Sequence, residues 1–379
     1  MIQPVHEIAA EVIRQAGKDK PADAALRAVL KSLRDLAPFD ATEIAKTVFI
    51  YYRWHVWLRD ERGVEAKMRL ALRLNQRFQD HETSIPLTEL RAKAVPVWTA
   101  EQMEVSDEWL RSLQREPKLW LRAQRGTATA LAEKLRLTGA SAPPGFSDAL
   151  RYDGEEDLFQ TPEFHAGEFE IQDIASQAVG LLCDPQSGET WWDTCAGEGG
   201  KTLHLSDLMQ NKGLIWASDR AEWRLAKLKR RAARAKVFNY RSAHWDGGAK
   251  LPTKTKFDGV LVDAPCSGIG TWQRNPQARW TTTPDDVREL SEIQKNLLAH
   301  VAPGVKPGGK LIFSVCTLTR AETVEVVADF NVNFASEFEP MRLPEIHSGD
   351  QPAAAIKFIW PQDWGGNGMF VAGWRRKMV

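Results

Sequence analysis

Residues 190–202 read TWWDTCAGEGGKT: a short strand-like run ending on Asp193, a turn with glycines at 197, 199 and 200, and then Lys201 and Thr202 opening a helical stretch. Glycines at a strand-to-helix turn let the backbone approach a ligand with no Cβ in the way. Working outward, the β-rich apolar runs GLIWASD, FDGVLVD and GGKLIFSVC, which end on Asp219, Asp263 and Cys316, alternate with helical stretches. That alternation predicts a parallel sheet of βαβ units, an α/β Rossmann-like domain from residue 170 to 379. Ligands bind outside the carboxyl ends of the strands in such sheets, so Asp193, Asp219, Asp263 and Cys316 are expected to converge on one crevice.

Upstream the texture changes twice. Residues 1–112 are rich in Ala, Leu, Glu, Arg and Trp at helical spacing and predict an all-helical domain. Within it, Asp40 and Glu43 after Pro38 form a capping-box pattern, and Ile44, Val48, Tyr51 and Leu58 are expected on one face of the helix that follows. Residues 113–169 read as a small α/β segment. WLRAQR (120–125) is a strand, ALAEKLRL (130–137) a helix closed by Gly139, and ALRY (149–152) a second strand after the SAPPG turn (141–145).

The chain has 379 residues, 43% of them hydrophobic, with 50 Lys+Arg against 50 Asp+Glu. This is the composition of a folded protein of several domains and excludes a disordered tail. No apolar run approaches the roughly 18 residues of a membrane span, and the first residues lack a signal-peptide core, so a cytoplasmic protein is expected, with a monomer as the default. Cys183, Cys195, Cys266 and Cys316 form no C-x-x-C pair, and the eight histidines, His347 among them, are scattered singly; neither a metal nor a disulfide is expected. The neutral total gives no global pull toward nucleic acid. Locally, however, nine Lys/Arg against one acid between Arg220 and Arg241 offer either a phosphate-tracking face or a solvated helix surface.

The candidate chemistry sits on three stretches. Gly200-Lys201-Thr202 carries the ending of a phosphate-cradling P-loop, and GVLVD (259–263) resembles the acidic strand that goes with it, but Cys195 stands where that motif needs its first glycine. Asp219 can accept both hydroxyls of a ribose or cap the helix beginning near Glu222, and Asp246 is either an adenine contact or a solvated turn residue. In DAPCSGIGTWQRNP (263–276), followed by Arg279-Trp280, a carboxylate at a strand end precedes a thiol on a Pro/Gly-constrained turn. A second thiol, Cys316, ends the next apolar run. Both thiols are expected to face the crevice, although burial as core filler is the usual fate of cysteine.

Taken in order, EIQDIASQ (170–177), DTCAGEGGKT (193–202), DAPCSGIGTWQRNP (263–276), KPGG (306–309), SVCTL (314–318) and GNGMFVA (366–372) resemble the Nop/Sun-type RNA cytosine-5 methyltransferases, and among them the bacterial small-subunit ribosomal RNA (RsmB-like) members. The resemblance implies a NusB-like helical domain, a small RRM-like segment, a catalytic domain using S-adenosylmethionine, and RNA, 16S rRNA in particular, as partner. It implies that Cys316 attacks cytosine C6 to form a covalent adduct, that Cys266 assists release, that Asp263 holds the cytosine edge and that Lys201 supports the polar site. Cys195, Ala196, Gly197, Glu198, Gly199, Gly200, Lys201, Asp219, Arg224, Asp246 and Asp263 would hold the cofactor. On the residues alone the order of the thiols stays open, since DNA cytosine methyltransferases use a Pro-Cys thiol like Pro265-Cys266 as nucleophile. Glu198 stands where the family has Pro, Val315 replaces Thr, Arg320-Ala321 replaces Pro-Glu, and Asn367 replaces Asp; none removes a group with a role. Trp272 or Trp280 is expected to line the opening through which a flipped base enters. Two readings compete: a P-loop nucleotidase, and an RNA-binding assembly factor without catalysis.

Overall fold

In the large sheet, side chains alternate between two buried faces. Trp191, Leu261, Ile312 and Val371 pack with the helix Ile174–Cys183, whereas Trp192, Val260, Val262, Leu311, Phe313 and Phe370 pack with the helix Pro284–Val301. A sheet covered on both faces needs apolar residues at consecutive positions, which is why its strands read as unbroken apolar runs. The computed structural model describes residues 5–33, 37–137, 142–154, 156–346 and 354–378. Gly139, Ser141 and His347, each named in an expectation above, lie outside the described residues.

A small antiparallel sheet comes first in the chain, with β1 (Leu119–Ala123) between β2 (Ala149–Tyr152) and β3 (Phe169–Ile171). The strand ALRY falls where the sequence placed it, and the helix of the segment is Ala128–Lys134. The large sheet contains β4 (Thr190–Asp193), β5 (Leu214–Asp219), β6 (Tyr240–His244), β7 (Phe257–Asp263), β8 (Val305–Val315), β9 (Phe338–Pro340), β10 (Ile356–Ile359) and β11 (Met369–Arg376). Its order is β10-β11-β8-β7-β4-β5-β6, with β9 on β11. Strands β4 to β8 pair in parallel, and β11 runs antiparallel between β8 and β10. The chain steps from β4 to β5 to β6 and then returns to the other side of β4 as β7. That reversal puts the crevice of a Rossmann-like sheet at the carboxyl ends of β4 and β7.

Two compact units emerge: Met1–Pro117 with Gly268–Pro284, and Lys118–Ser267 with Asp285–Val379. The small sheet therefore belongs to the unit of the large one, β3 runs across the expected 169/170 border, and residues 268–284 belong to the helical unit.

In the helical unit the helix expected after a capping box starts earlier, at Pro38. Its N-cap is Ala37, which has no side-chain acceptor and makes no cap bond, and Pro38 stands in the first turn, where a missing N–H costs no helical bond. Asp40 merely lies in the first turn. The helix ends at Arg53, so Leu58 is buried from the following 3₁₀ turn, while Ile44, Val48 and Tyr51 are buried along the helix itself.

The segment 268–284 is bound into this unit by aromatic and polar contacts. Trp272 is fully buried, with ring centroids 6.1 Å from Trp98 and 6.4 Å from Trp109. Trp280 Nε1 donates to the Tyr52 carbonyl at 2.8 Å. Arg279, also fully buried, donates to the Leu113 and Trp272 carbonyls, and burial pushes its guanidinium well below the usual range. The expectation that Trp272 or Trp280 lines an opening is thus corrected for Trp272, whose ring is wholly committed to packing in the helical unit, whereas Trp280 is only partly buried.

Candidate active site

Three strand ends and one turn build the site. Asp263 closes β7 opposite Ser314 of β8, and this register puts the Ser314 hydroxyl 2.7 Å from Asp263 Oδ1. Lys201, in the first turn of the helix Gly200–Leu208, donates to Asp263 Oδ2 at 2.7 Å. Burial pulls the Lys201 ammonium down, but the adjoining Asp263 carboxylate more than reverses this, with a smaller upward push from the neighbouring Cys316, and the net shift is upward. Immediately beyond the two strands, Cys266 Sγ and Cys316 Sγ lie 3.2 Å apart. Two single cysteines separated by 50 residues in sequence thus meet within hydrogen-bonding distance.

A cleft opens over them, lined by Thr194, Cys195, Asp219, Arg224, Asp246, Asp263, Cys266 and Cys316, with Trp245, Ile293 and Leu297 supplying apolar surface. Asp219 ties the glycine turn to the next strand. Its Oδ2 accepts from the Gly197 N–H at 2.8 Å and more weakly from Arg224 at 3.4 Å, and its Oδ1 accepts from the Ala221 N–H at 2.9 Å. It is not the cap of the helix Glu222–Arg234, whose N-cap is Ala221. Gly199 has φ +88°, and a Cβ there would lie 2.6 Å from Leu228, so both backbone angle and space demand glycine. Ala196, Gly197, Glu198, Gly199 and Gly200 form the turn without lining the cleft, and Lys201 meets it through Asp263. Asp246 sits at the rim with its Oδ1 on the Gly248 N–H at 2.9 Å.

One expectation about this region is corrected. Asp193 does not face the crevice: it is fully buried, its Oδ2 accepts from Thr202 Oγ1 at 2.6 Å, its Oδ1 has no partner, and burial pushes its carboxyl up to about 7. The basic helix is also less available than its composition suggests. Arg231 and Arg234 both donate to the buried Glu170, Lys227 pairs with Glu198 at 2.6 Å, and Arg224 reaches Asp219. Four of the nine cations are therefore partnered within the fold, which leaves Lys229 and Arg230 among those on the exposed face.

Sequence reasoning also missed residues. Glu322 and Gln294, both fully buried, bond to the residues flanking the two thiols. The available signal was the run Thr317-Leu-Thr319-Arg-Ala-Glu322, with two hydroxyls and an acid just after Cys316. Burial, helped by the nearby carboxylates of Asp193, Asp263 and Asp219 and opposed by a hydrogen bond from Thr194, raises the thiol of Cys195 to about 12, a setting for a protonated, inert sulfur.

The chain also resembles known proteins. The chain is 40% identical over 209 residues to a probable ribosomal RNA small subunit methyltransferase B of Synechocystis sp., a match covering 54% of this chain and 46% of the relative. It is 37% identical over 221 residues to the probable enzyme of the same name from Bacillus subtilis, covering 56% and 49%. The chain thus spans about half the length of the curated relatives it matches. The crystal structure of PH0851 shares the fold across 99% of both chains, with a TM-score of 0.79 at 22% identity. The family described as 16S rRNA methyltransferase RsmB/F matches residues 180–375, more than half of the sequence and all of the residues that form the cleft, and the chain belongs to that family.

Proposed function

We propose that this chain is an S-adenosylmethionine-dependent methyltransferase that methylates C5 of a cytosine in small-subunit (16S) ribosomal RNA in the cytoplasm, through a covalent adduct on Cys316. The observation that carries the reading is the 3.2 Å approach of Cys266 and Cys316 beside the Asp263–Lys201 pair. Core-filling cysteines have no reason to meet at the mouth of a polar cleft, and a protein that had lost catalysis would have no use for the pair.

The cleft suits the cofactor. The Asp219 carboxylate retains lone pairs for ribose hydroxyls, Asp246 and the apolar Ile293 and Leu297 can flank an adenine, and Asp263 offers negative charge toward a sulfonium. Glu198, directed to Lys227, is kept from opposing a methionine carboxylate. Three carboxylates against two arginines, Arg220 and Arg224, leave the lining net negative, which suits a cationic ligand better than a triphosphate, and the Lys201 of the P-loop reading is already held by Asp263. Bound there, the cofactor supplies an electrophilic methyl group.

The residues of the chain do the rest. Cytosine C5 is too weak a nucleophile unaided. The Cys316 thiolate adds to C6, forming a C–S bond and making C5 enamine-like; C5 then takes the methyl group. Loss of the C5 proton to a base breaks the C–S bond and returns the thiolate, with Cys266 assisting this release. Asp263 accepts a hydrogen bond from the cytosine edge, and Lys201, sharing that carboxylate, supports the polar site. Exposed cations such as Lys229 and Arg230 supply phosphate contacts.

Bisulfite sequencing of ribosomal RNA from cells with and without this gene tests the reading. One small-subunit cytosine should lose its protection when the gene is absent; an unchanged pattern overturns the proposal.

A further inference from the structure

The sulfurs could not meet unless two separate turns were held together, and the fully buried Glu322 is the group that touches both. Its Oε1 accepts from the Ser267 N–H at 2.8 Å and from Gln294 Nε2 at 3.1 Å. Its Oε2 accepts from the Ser267 hydroxyl at 2.5 Å, from Thr317 Oγ1 at 3.0 Å and from Thr319 Oγ1 at 2.9 Å. Ser267 immediately follows Cys266 and Thr317 immediately follows Cys316, and their two hydroxyl oxygens lie 3.0 Å apart. Gln294, from the helix Pro284–Val301, adds a bond from Nε2 to the Pro265 carbonyl at 2.9 Å, so the Cys266 turn is gripped on both sides of its thiol.

A carboxylate fully removed from water is expensive unless every oxygen is satisfied, and charge-assisted bonds to it are among the strongest in a fold. Here five donors converge on one carboxylate. Most come from the two turns, and none is a cation. The chain also passes from one compact unit to the other between Ser267 and Gly268, so the turn carrying Cys266 is anchored where the chain leaves the catalytic unit.

We infer that Glu322 is a positioning residue whose carboxylate staples the Cys266 turn to the Cys316 turn and sets the distance between the two thiols. Its part in turnover rests on the methyltransferase reading above; its part in the geometry does not. Without the staple the nucleophile of Cys316 remains, while Cys266 is released from its side, so turnover slows and binding of RNA is unaffected.

The test uses the full chain without RNA or methyl donor. Diamide removes two electrons and two protons from a pair of adjacent thiols, becoming the hydrazine as the disulfide forms, and peptide mass mapping identifies the Cys266–Cys316 link. Glu322→Ala should close this disulfide about tenfold more slowly than the wild type, and Glu322→Gln, which retains shape and one acceptor, about threefold more slowly. Melting temperatures establish that each variant is folded. If Glu322→Ala does not fold, the Glu322→Gln rate decides. Folded variants that close at the wild-type rate overturn the inference. In parallel, Glu322→Gln should lower kcat for RNA methylation with KM for RNA unchanged. A wild type that closes the disulfide but methylates no RNA would refute the functional reading and leave the staple standing.

Discussion

The run DAPCSGIGTWQRNP looks like one motif, yet its two halves do different work. Residues 263–267 stay in the catalytic unit, where Asp263 is bonded to Lys201 and Ser314, Cys266 meets Cys316, and Ser267 is bonded to Glu322. Residues 268–276 enter the helical unit, where Trp272 is buried between Trp98 and Trp109. A contiguous sequence signature therefore need not be a contiguous site. In the first half, polar and reactive atoms are oriented by hydrogen bonds; in the second, side chains fill space.

Variants should separate the halves. The largest effect belongs to the first: Cys316→Ala should abolish methylation of ribosomal RNA while the melting temperature stays near that of the wild type, since the sulfur lines a cleft and packs only at the edge of the core. Residual turnover by Cys316→Ala would move the nucleophile elsewhere. Next comes the second half. Trp272→Ala, emptying a fully buried indole site, should cost about 3–5 kcal/mol in denaturant unfolding of the helical unit, with the methylation rate per folded molecule preserved. Unchanged stability together with lost activity would return Trp272 to the site.

Smaller effects sharpen the contrast within the catalytic unit. Lys201→Met removes the ammonium from Asp263 and from the neighbourhood of Cys316, and should lower kcat by about a hundredfold with little change in RNA affinity. Asp193 ends a strand as Asp263 does but is buried with an orphaned oxygen. Its carboxyl, raised from 3.8 to about 7, stays protonated in the folded chain over a range in which the unfolded chain ionises. Stability from this residue is therefore greatest at low pH and falls as pH rises through that window. Asp193→Asn should gain on the wild type in melting temperature as pH increases from 4 to 7, and parallel curves would contradict this.

Much of the fold was legible because β4, β5, β7 and β8 are buried on both faces and so announce themselves as apolar runs ending in polar residues. The convergence of Asp219, Asp263, Cys266 and Cys316 followed from the rule that strand ends share a crevice. Asp193 broke that rule because its side chain turns to Thr202, and strand position alone does not say which way a carboxylate points. Glu322 escaped notice because an acid in a loop reads as solvated until its five donors are seen. For the basic stretch both readings stayed open: Glu170, 61 residues before Arg231, takes up two of its charges, and a pairing over that separation has no local signature.

The most direct measurement is to mix Cys266→Ala with ribosomal RNA and S-adenosylmethionine and look for a denaturant-resistant protein–RNA species, then repeat it with Cys266→Ala/Cys316→Ala. The account predicts a trapped adduct in the single variant and none in the double variant. An adduct that survives loss of Cys316, or one that accumulates in Cys316→Ala alone, would contradict it.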